Sequence, residues 1–306
     1  MVPPIDISRF EQLKASGDLP SPKGVALAIM RLTQQENVSI PDLAGIVKAD
    51  PAFVGRLIKA ANGIIGYGHR PVVSVQDALT VLGMPAVRHM ALGFSLLTNY
   101  RDGACESFDY GCFWASSLLS AVAMQILALK TRVAAADEMY CLGLLACVGE
   151  LALATLYPHD YSKIVVDSVG QGRRRLLELE SCAFAMTSAE LGAAMLADWG
   201  LPRVFTDAAF CVANDCVAEA KGDSRGRVLT QSLALSREIA DYCLVEESER
   251  SSHKYELLIS ASSLSLDEDD VAVLSNRVAK EWQEWSPLLS IPATLLPPFE
   301  LVGVDG

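Results

Sequence analysis

"SIPDLAGIVKADPAFVGRLIKAAN", residues 39 to 62, decides the fold class. Ser39 is a helix N-cap type, Pro41 suits the first turn, and Leu43, Ile46 and Val47 fall on one face at helical spacing. Asp50 and Pro51 then repeat the start signal. Proline is harmless at a first helical position, because the N–H it lacks would have had no partner there. Phe53, Val54, Leu57, Ile58 and Ala61 make the next apolar face. The spacing predicts two successive amphipathic helices.

The same grammar recurs outward in both directions, and alternating strand patterns are nearly absent. A glycine-rich stretch, "NGIIGYGHRP" (62–71), predicts an irregular turn. "SVQDALTVLG" predicts a short helix capped by Ser74 and closed by Gly83, followed by a helix over 85–97. The polar segment 98–111 is the best internal boundary. Beyond it, helices are expected at about 112–130, 137–157, 160–170, 172–184, 188–200, 203–214 and 225–243. A last one starts in "DEDDVAVLSNRVAKEWQEW", whose acidic first turn suits the helix dipole. The proline-spaced end, "SPLLSIPATLLPPFELVGVDG", is expected to pack as an extended segment. The fold class is all-α.

A chain of 306 residues with 51% hydrophobic side chains has ample material for a buried core. Its net charge of -12 argues against coating nucleic acid or anionic membrane through the overall field. Residues 23–90 are locally basic, with seven Lys/Arg against four Asp/Glu. Arg56, Lys59, Arg70 and Arg88 there form a candidate docking face. No secretory signal is visible in "MVPPIDISRF", and the eight cysteines lack metal-finger spacing. A cytoplasmic protein with reduced, mostly buried thiols is expected.

The run from Met139 to Tyr157 is 19 residues long with Glu150 as its single charge, which approaches the length of a membrane span. Its two glycines, its central carboxylate and the lack of another such segment favour the centre of a large helical domain instead.

Few residues announce chemistry. The helix pair at 39–62 is spaced like a helix-turn-helix, but its second helix offers only Arg56 and Lys59 as cations. Gly63, Gly66 and Gly68 follow no strand and lack the phosphate-loop pattern. Arg173, Arg174 and Arg175, near a helix start, could pair with an anion, but in an acidic chain they read first as a solvated run. His69, His89, His159 and His253 are scattered, and His159–Asp160 suits the start of a segment. Cys147 sits among apolar neighbours as inert packing.

In order, "LPSPKGVALAIM", "LAGIVKADPAFVGRLIKAANG", "RPVVSVQDALTVLG", "FWASSLLSAVAMQILA", "GLLACVGELALATLYP" and "SAELGAAMLADWGLP" resemble the HDOD domain, a bacterial signalling module related to HD-type metal phosphohydrolases. The resemblance covers about residues 19–240. It implies a two-lobed helical fold, with an N-terminal lobe over 1–98, a degenerate HD-like lobe over 99–245, and a C-terminal helix and tail over 246–306 packing on the second lobe. In the wider HD superfamily a His, an adjacent His-Asp pair and a later Asp hold metal. The matching positions here are Ser116 and the pair Ala146–Cys147. Two positions where relatives often have histidines are Ser188 and Ala213–Asn214, and Ser236–Arg237 is a counterpart of the last Asp.

Ser116, Ala146, Cys147, Glu150, Ser188 and Asn214 are therefore a candidate remnant pocket without catalytic, cofactor or metal ligands. Glu150 lies at i+4 from Ala146 and i+3 from Cys147, on the side of the lost ligands, so it needs a new partner: an arginine, or a hydroxyl such as Ser116. Asn62, just before Gly63, is expected to cap its helix. The reading that follows is a non-enzymatic regulatory module that binds a protein partner or small ligand, without a cofactor and off the membrane. The alternatives are a divergent phosphohydrolase or nucleotide-binding protein using Cys147, Glu150, Asn214 and Asp215, and DNA binding through the basic lobe.

Overall fold

The structure, a computed structural model, describes residues 7–33, 38–65, 70–217, 224–291, 296 and 299. Gly66, Gly68, His69 and most of the proline-spaced C-terminal segment lie outside the described residues. Among the described residues there is no strand. The first lobe holds α1 (Ile7–Ser16), α2 (Gly24–Leu32), α3 (Ile40–Val47), α4 (Pro51–Ile65), α5 (Val75–Leu82) and α6 (Met84–Asn99). The second holds α7 (Tyr110–Thr131), α8 (Ala136–Leu145), α9 (Val148–Leu156), α10 (Pro158–Ser168), α11 (Gly172–Phe184), α12 (Ser188–Asp198), α13 (Arg203–Ala213) and α14 (Ser224–Leu244). Then come α15 (Arg250–Ser262) and α16 (Glu268–Leu289).

The start signals act as the sequence predicts. Ser39 and Asp42 form a reciprocal capping box on α3, Asp50 Oδ1 accepts from the N–H of Ala52 and Phe53, and Ser74 accepts from Asp77 N–H. Each such cap contributes about 1 kcal/mol. Asn62 departs from its expected role. It lies inside α4, donates to Val72 O at 2.9 Å and accepts from Val72 N at 2.8 Å. Rather than ending the helix, it ties the returning chain to it.

Helix α7 is the axis of the second lobe, packed against α8, α14 and α16. Gly143 permits the α7–α8 approach, because a Cβ there would sit 2.7 Å from Ala121 Cα and from Ser120 O. The helix predicted over 137–157 is interrupted at Ala146–Cys147, which form the turn between α8 and α9. The apolar run is also not alone. Tyr110–Thr131 and Ala136–Leu156 are both long and apolar enough to cross a bilayer, and 78% of each apolar window is buried inside the protein. Their apolar surface is covered by other helices.

The C-terminal segment differs from expectation in two ways. A further helix, α15, precedes the last one, hidden in the sequence by the polar stretch around "ESERSSHK". Helix α16 packs on α7 but also on α4 and α6 of the first lobe. Lys59 pairs with Glu281 and Glu284 and lies over the Trp285 ring. Arg56 and Arg101 donate to Leu288, Leu289 and Ser290 carbonyls at the α16 C-terminus, where the helix dipole favours cations. One apolar cluster accordingly runs through both lobes and α16, from Phe10 to Phe299.

Two outcomes check this packing. His89 is buried on α6, and burial together with neighbouring Arg88 lowers its pKa to about 4. Its folded value lies below the ordinary 6.5, so the stability it contributes is complete above pH 6.5 and is lost as pH falls toward 4. The expected loss is up to about 3 kcal/mol, and urea melts of His89→Gln are expected to show a flatter decline across that window. Separately, Gly45 has open space where a Cβ would go. Gly45→Ala is expected to raise stability in the same assay by about 0.5–1 kcal/mol.

Candidate functional site

The turn at Ala146–Cys147 brings the start of α9 against α12, with side chains from α11 and α14 reaching it. The closest approach is at Gly149, where a Cβ would lie 1.9 Å from Ser188 O and 2.7 Å from Gly192 N. Two backbones touch here, and only a glycine fits between them.

Glu150 is 17% exposed, and its partner is an arginine. Arg173 Nη1 donates to Glu150 Oε1 at 2.5 Å, and Arg173 Nε donates to the Ala213 carbonyl at 2.9 Å. Burial alone would push the Glu150 carboxyl up, but Arg173 and Arg237 outweigh it and hold it below the usual carboxylate range. The same pairing raises Arg173 against its own desolvation. Both groups are therefore charged. Arg173 is the residue misassigned to a solvated run: it points inward from α11, while Arg174 beside it is 90% exposed.

A second guanidinium enters from α14, where Arg237 Nη1 donates to Cys147 Sγ. Burial keeps the Cys147 thiol above its ordinary value even with this cation beside it. Below Arg173, Glu180 is fully buried. Its Oε2 accepts from Ser188 N–H at 2.7 Å and its Oε1 accepts from the Tyr161 hydroxyl at 3.1 Å. Burial raises the Glu180 pKa. Two polar atoms here are buried without a bond, Arg173 Nη2 and Ser188 Oγ.

The structure therefore gathers most of the residues singled out from the sequence. Cys147 and Glu150 meet the two arginines, Ser188 holds Glu180 and abuts Gly149, and Asn214 follows the carbonyl that anchors Arg173. Ser116 is half-buried on α7, one turn from Ser120, whose hydroxyl meets that of Ser236 at 2.7 Å. Ser116 is not the partner of Glu150. The sequence reading missed Arg173 and Glu180, although Arg173, Leu177, Glu180 and Phe184 share one face of α11 at helical spacing, and Leu177 and Phe184 are buried. That stripe was the available signal.

These donors do not fit a metal centre of the HD type. A hydroxyl, a methyl group and a neutral thiol stand where the HD resemblance implies ligands, and guanidiniums, which cannot ligate, engage Glu150 and Cys147. Among the described residues, no group of three or more His, Cys, Asp or Glu is arranged to hold a metal ion.

The basic residues of the first lobe do not make one exposed face. Arg56 is buried, Lys59 is paired with α16, and Arg88 reaches the Gly200 carbonyl, leaving Arg70 exposed. The two cations that a DNA-recognition role for α4 relied on are turned against α16.

The HDOD domain family model matches residues 19–214. Among solved structures, the MmoQ response regulator of Methylococcus capsulatus is 38% identical over 84% of this chain and 97% of its own, with a TM-score of 0.52. An HDOD domain protein of unknown function from Geobacter sulfurreducens shares the fold at 19% identity and TM-score 0.56, covering 92% of this chain and 96% of its own. A protein of Shewanella amazonensis SB2B, provisionally named a phosphohydrolase, shares it at 22% identity and TM-score 0.62 over 92% and 97%. Among curated proteins there is no match.

Replacing Gly149 by alanine is expected to cost about 2 kcal/mol or more in chemical denaturation, because backbone rather than a side chain must move. Arg173→Met and Glu150→Met are each expected to cost about 2 kcal/mol, since each leaves the other charge unpaired. The double variant is expected to recover much of that loss. Additive losses in the cycle would show that the two side chains do not depend on each other.

Proposed function

The chain belongs to the HDOD domain family, and we propose that it acts in signalling as a binding module rather than as a phosphohydrolase. The family match and the likeness to a response regulator support a signalling-related role. The finer reading is carried by one observation: an arginine from α14 engages Cys147, at a position where the HD resemblance implies a metal ligand, and one from α11 engages Glu150 on the same side.

The physical reasoning is direct. An HD-type centre works by holding cations that generate hydroxide and stabilise charge on phosphate. Arg173 and Arg237 supply fixed positive charge at that place, but a guanidinium has no exchangeable water and cannot act as a base at neutral pH. What remains is a polar, internally bonded junction of five helices. Its role in this reading is to hold α9, α11, α12, α13 and α14 in one arrangement that presents a surface or ligand site to a partner.

The test is a hydrolysis assay with bis(p-nitrophenyl) phosphate and Mn²⁺ on purified full-length protein. Turnover is expected to equal the protein-free control and to be unaffected by Glu150→Gln. Turnover above the control that Glu150→Gln abolishes would overturn the binding-only reading and restore the divergent phosphohydrolase.

A further inference from the structure

A cavity of about 210 Å³ lies between α2, α4 and α6, in the other lobe from Glu150. Its volume falls below the roughly 300–1,000 Å³ of drug-sized sites, so it suits a small metabolite. Phe53 and Phe94 supply apolar wall. The polar lining is unusual in its charges.

Arg56 lines this cavity and is only 8% exposed, yet none of the ion pairs among the described residues involves it. Its Nε donates to the Leu288 carbonyl and its Nη1 to Thr98 Oγ1, both at 3.3 Å, and it lies over the Phe94 ring. Neutral acceptors thus hold two of its nitrogens, and Nη2 bonds to no described residue. A buried guanidinium without a carboxylate partner lacks a full counter-charge. Desolvation lowers its pKa accordingly, although Asp50 pulls the other way.

Two more features face the same space. The first turn of α2 lines it, and Lys23 at the N-cap makes no side-chain cap, so N–H groups at the positive end of that helix are left for another acceptor. Lys23 itself stands at the rim, with its ammonium 5.4 Å from the Tyr100 ring. Asp50 also lines the cavity, with Oδ1 already used by the α4 N-terminus. The lining charge, two cations against one anion, is therefore +1.

We infer that this cavity is a binding site for a small organic anion, whose carboxylate or phosphate group meets Arg56 and the first turn of α2. A donor group elsewhere on the ligand meets Asp50. Since the opposite edge of Arg56 holds the end of α16, occupancy is felt at the helix that bridges the lobes. The inference goes beyond the loss of the HD centre and does not depend on it.

Titration calorimetry and thermal melts on the full chain test this with inorganic phosphate, pyruvate and 3-phosphoglycerate as probes and glycerol as the uncharged control. At least one anion is expected to bind saturably at one site and to raise Tm, while glycerol does neither. The phosphate and carboxylate arms separate the two head-group chemistries. Arg56→Gln is expected to weaken binding at least tenfold. Should that variant fail to fold, Lys23→Glu, on the exposed rim, is expected to weaken binding about fivefold with unchanged Tm in the absence of ligand. No saturable binding of any anion up to 10 mM, or equal binding by Lys23→Glu and the parent, would overturn the inference.

Discussion

The ion pair between Glu150 and Arg173 is the constraint around which the second lobe is arranged. A carboxylate placed in a 19-residue apolar run cannot stay charged without a partner, and the fold delivers one from α11. Arg173 in turn needs more than one acceptor, and the Ala213 carbonyl at the end of α13 supplies the second. A single guanidinium therefore connects α9, α11 and α13. Arg237 adds α14 through Cys147, and Glu180 adds α12 and α10 through Ser188 and Tyr161. Side-chain bonds thus join these helices from within the chain.

The first lobe is joined to the second by a related device. Two arginines, Arg56 and Arg101, bond the terminal carbonyls of α16, and Lys59 pairs with acidic groups one and two turns earlier. Trp282 and Trp285 on the same helix are almost fully buried, so polar contacts set the orientation while apolar burial supplies most of the stabilisation. Of the four basic residues that looked like a docking face, Arg56, Lys59 and Arg88 make contacts within the molecule. Part of the basic excess of residues 23–90 is therefore used in internal contacts, while Lys23, Arg31, Lys48 and Arg70 stay exposed.

Most of the fold was legible because helix starts are written in short, local chemistry. Ser39, Asp50 and Ser74 each cap the helix they precede, and the apolar faces behind them are buried. What could not be read was direction and partnership. Arg173 looked solvated because it stands in a run of three arginines; only the α11 face it shares with Leu177, Glu180 and Phe184 shows that it points inward. Asn62 looked like a helix cap because its partner, Val72, lies across a loop. Helix α15 escaped because its first turns are polar and its packing is tertiary. Cys147, Glu150 and Ser188 do come together, while Ser116 lies apart on α7, and the two arginines that define the present chemistry of the junction had to be seen in three dimensions.

Whether side chains stand in for metal at this junction is read from the metal content of the protein. Purified protein from cells grown with added manganese, iron and zinc can be assayed by plasma mass spectrometry after exhaustive dialysis without chelator. Far less than one equivalent of any of the three metals per chain is expected, with no change in Arg173→Met. One or two equivalents retained per chain, and lost on replacing Glu150 or Cys147, would contradict it.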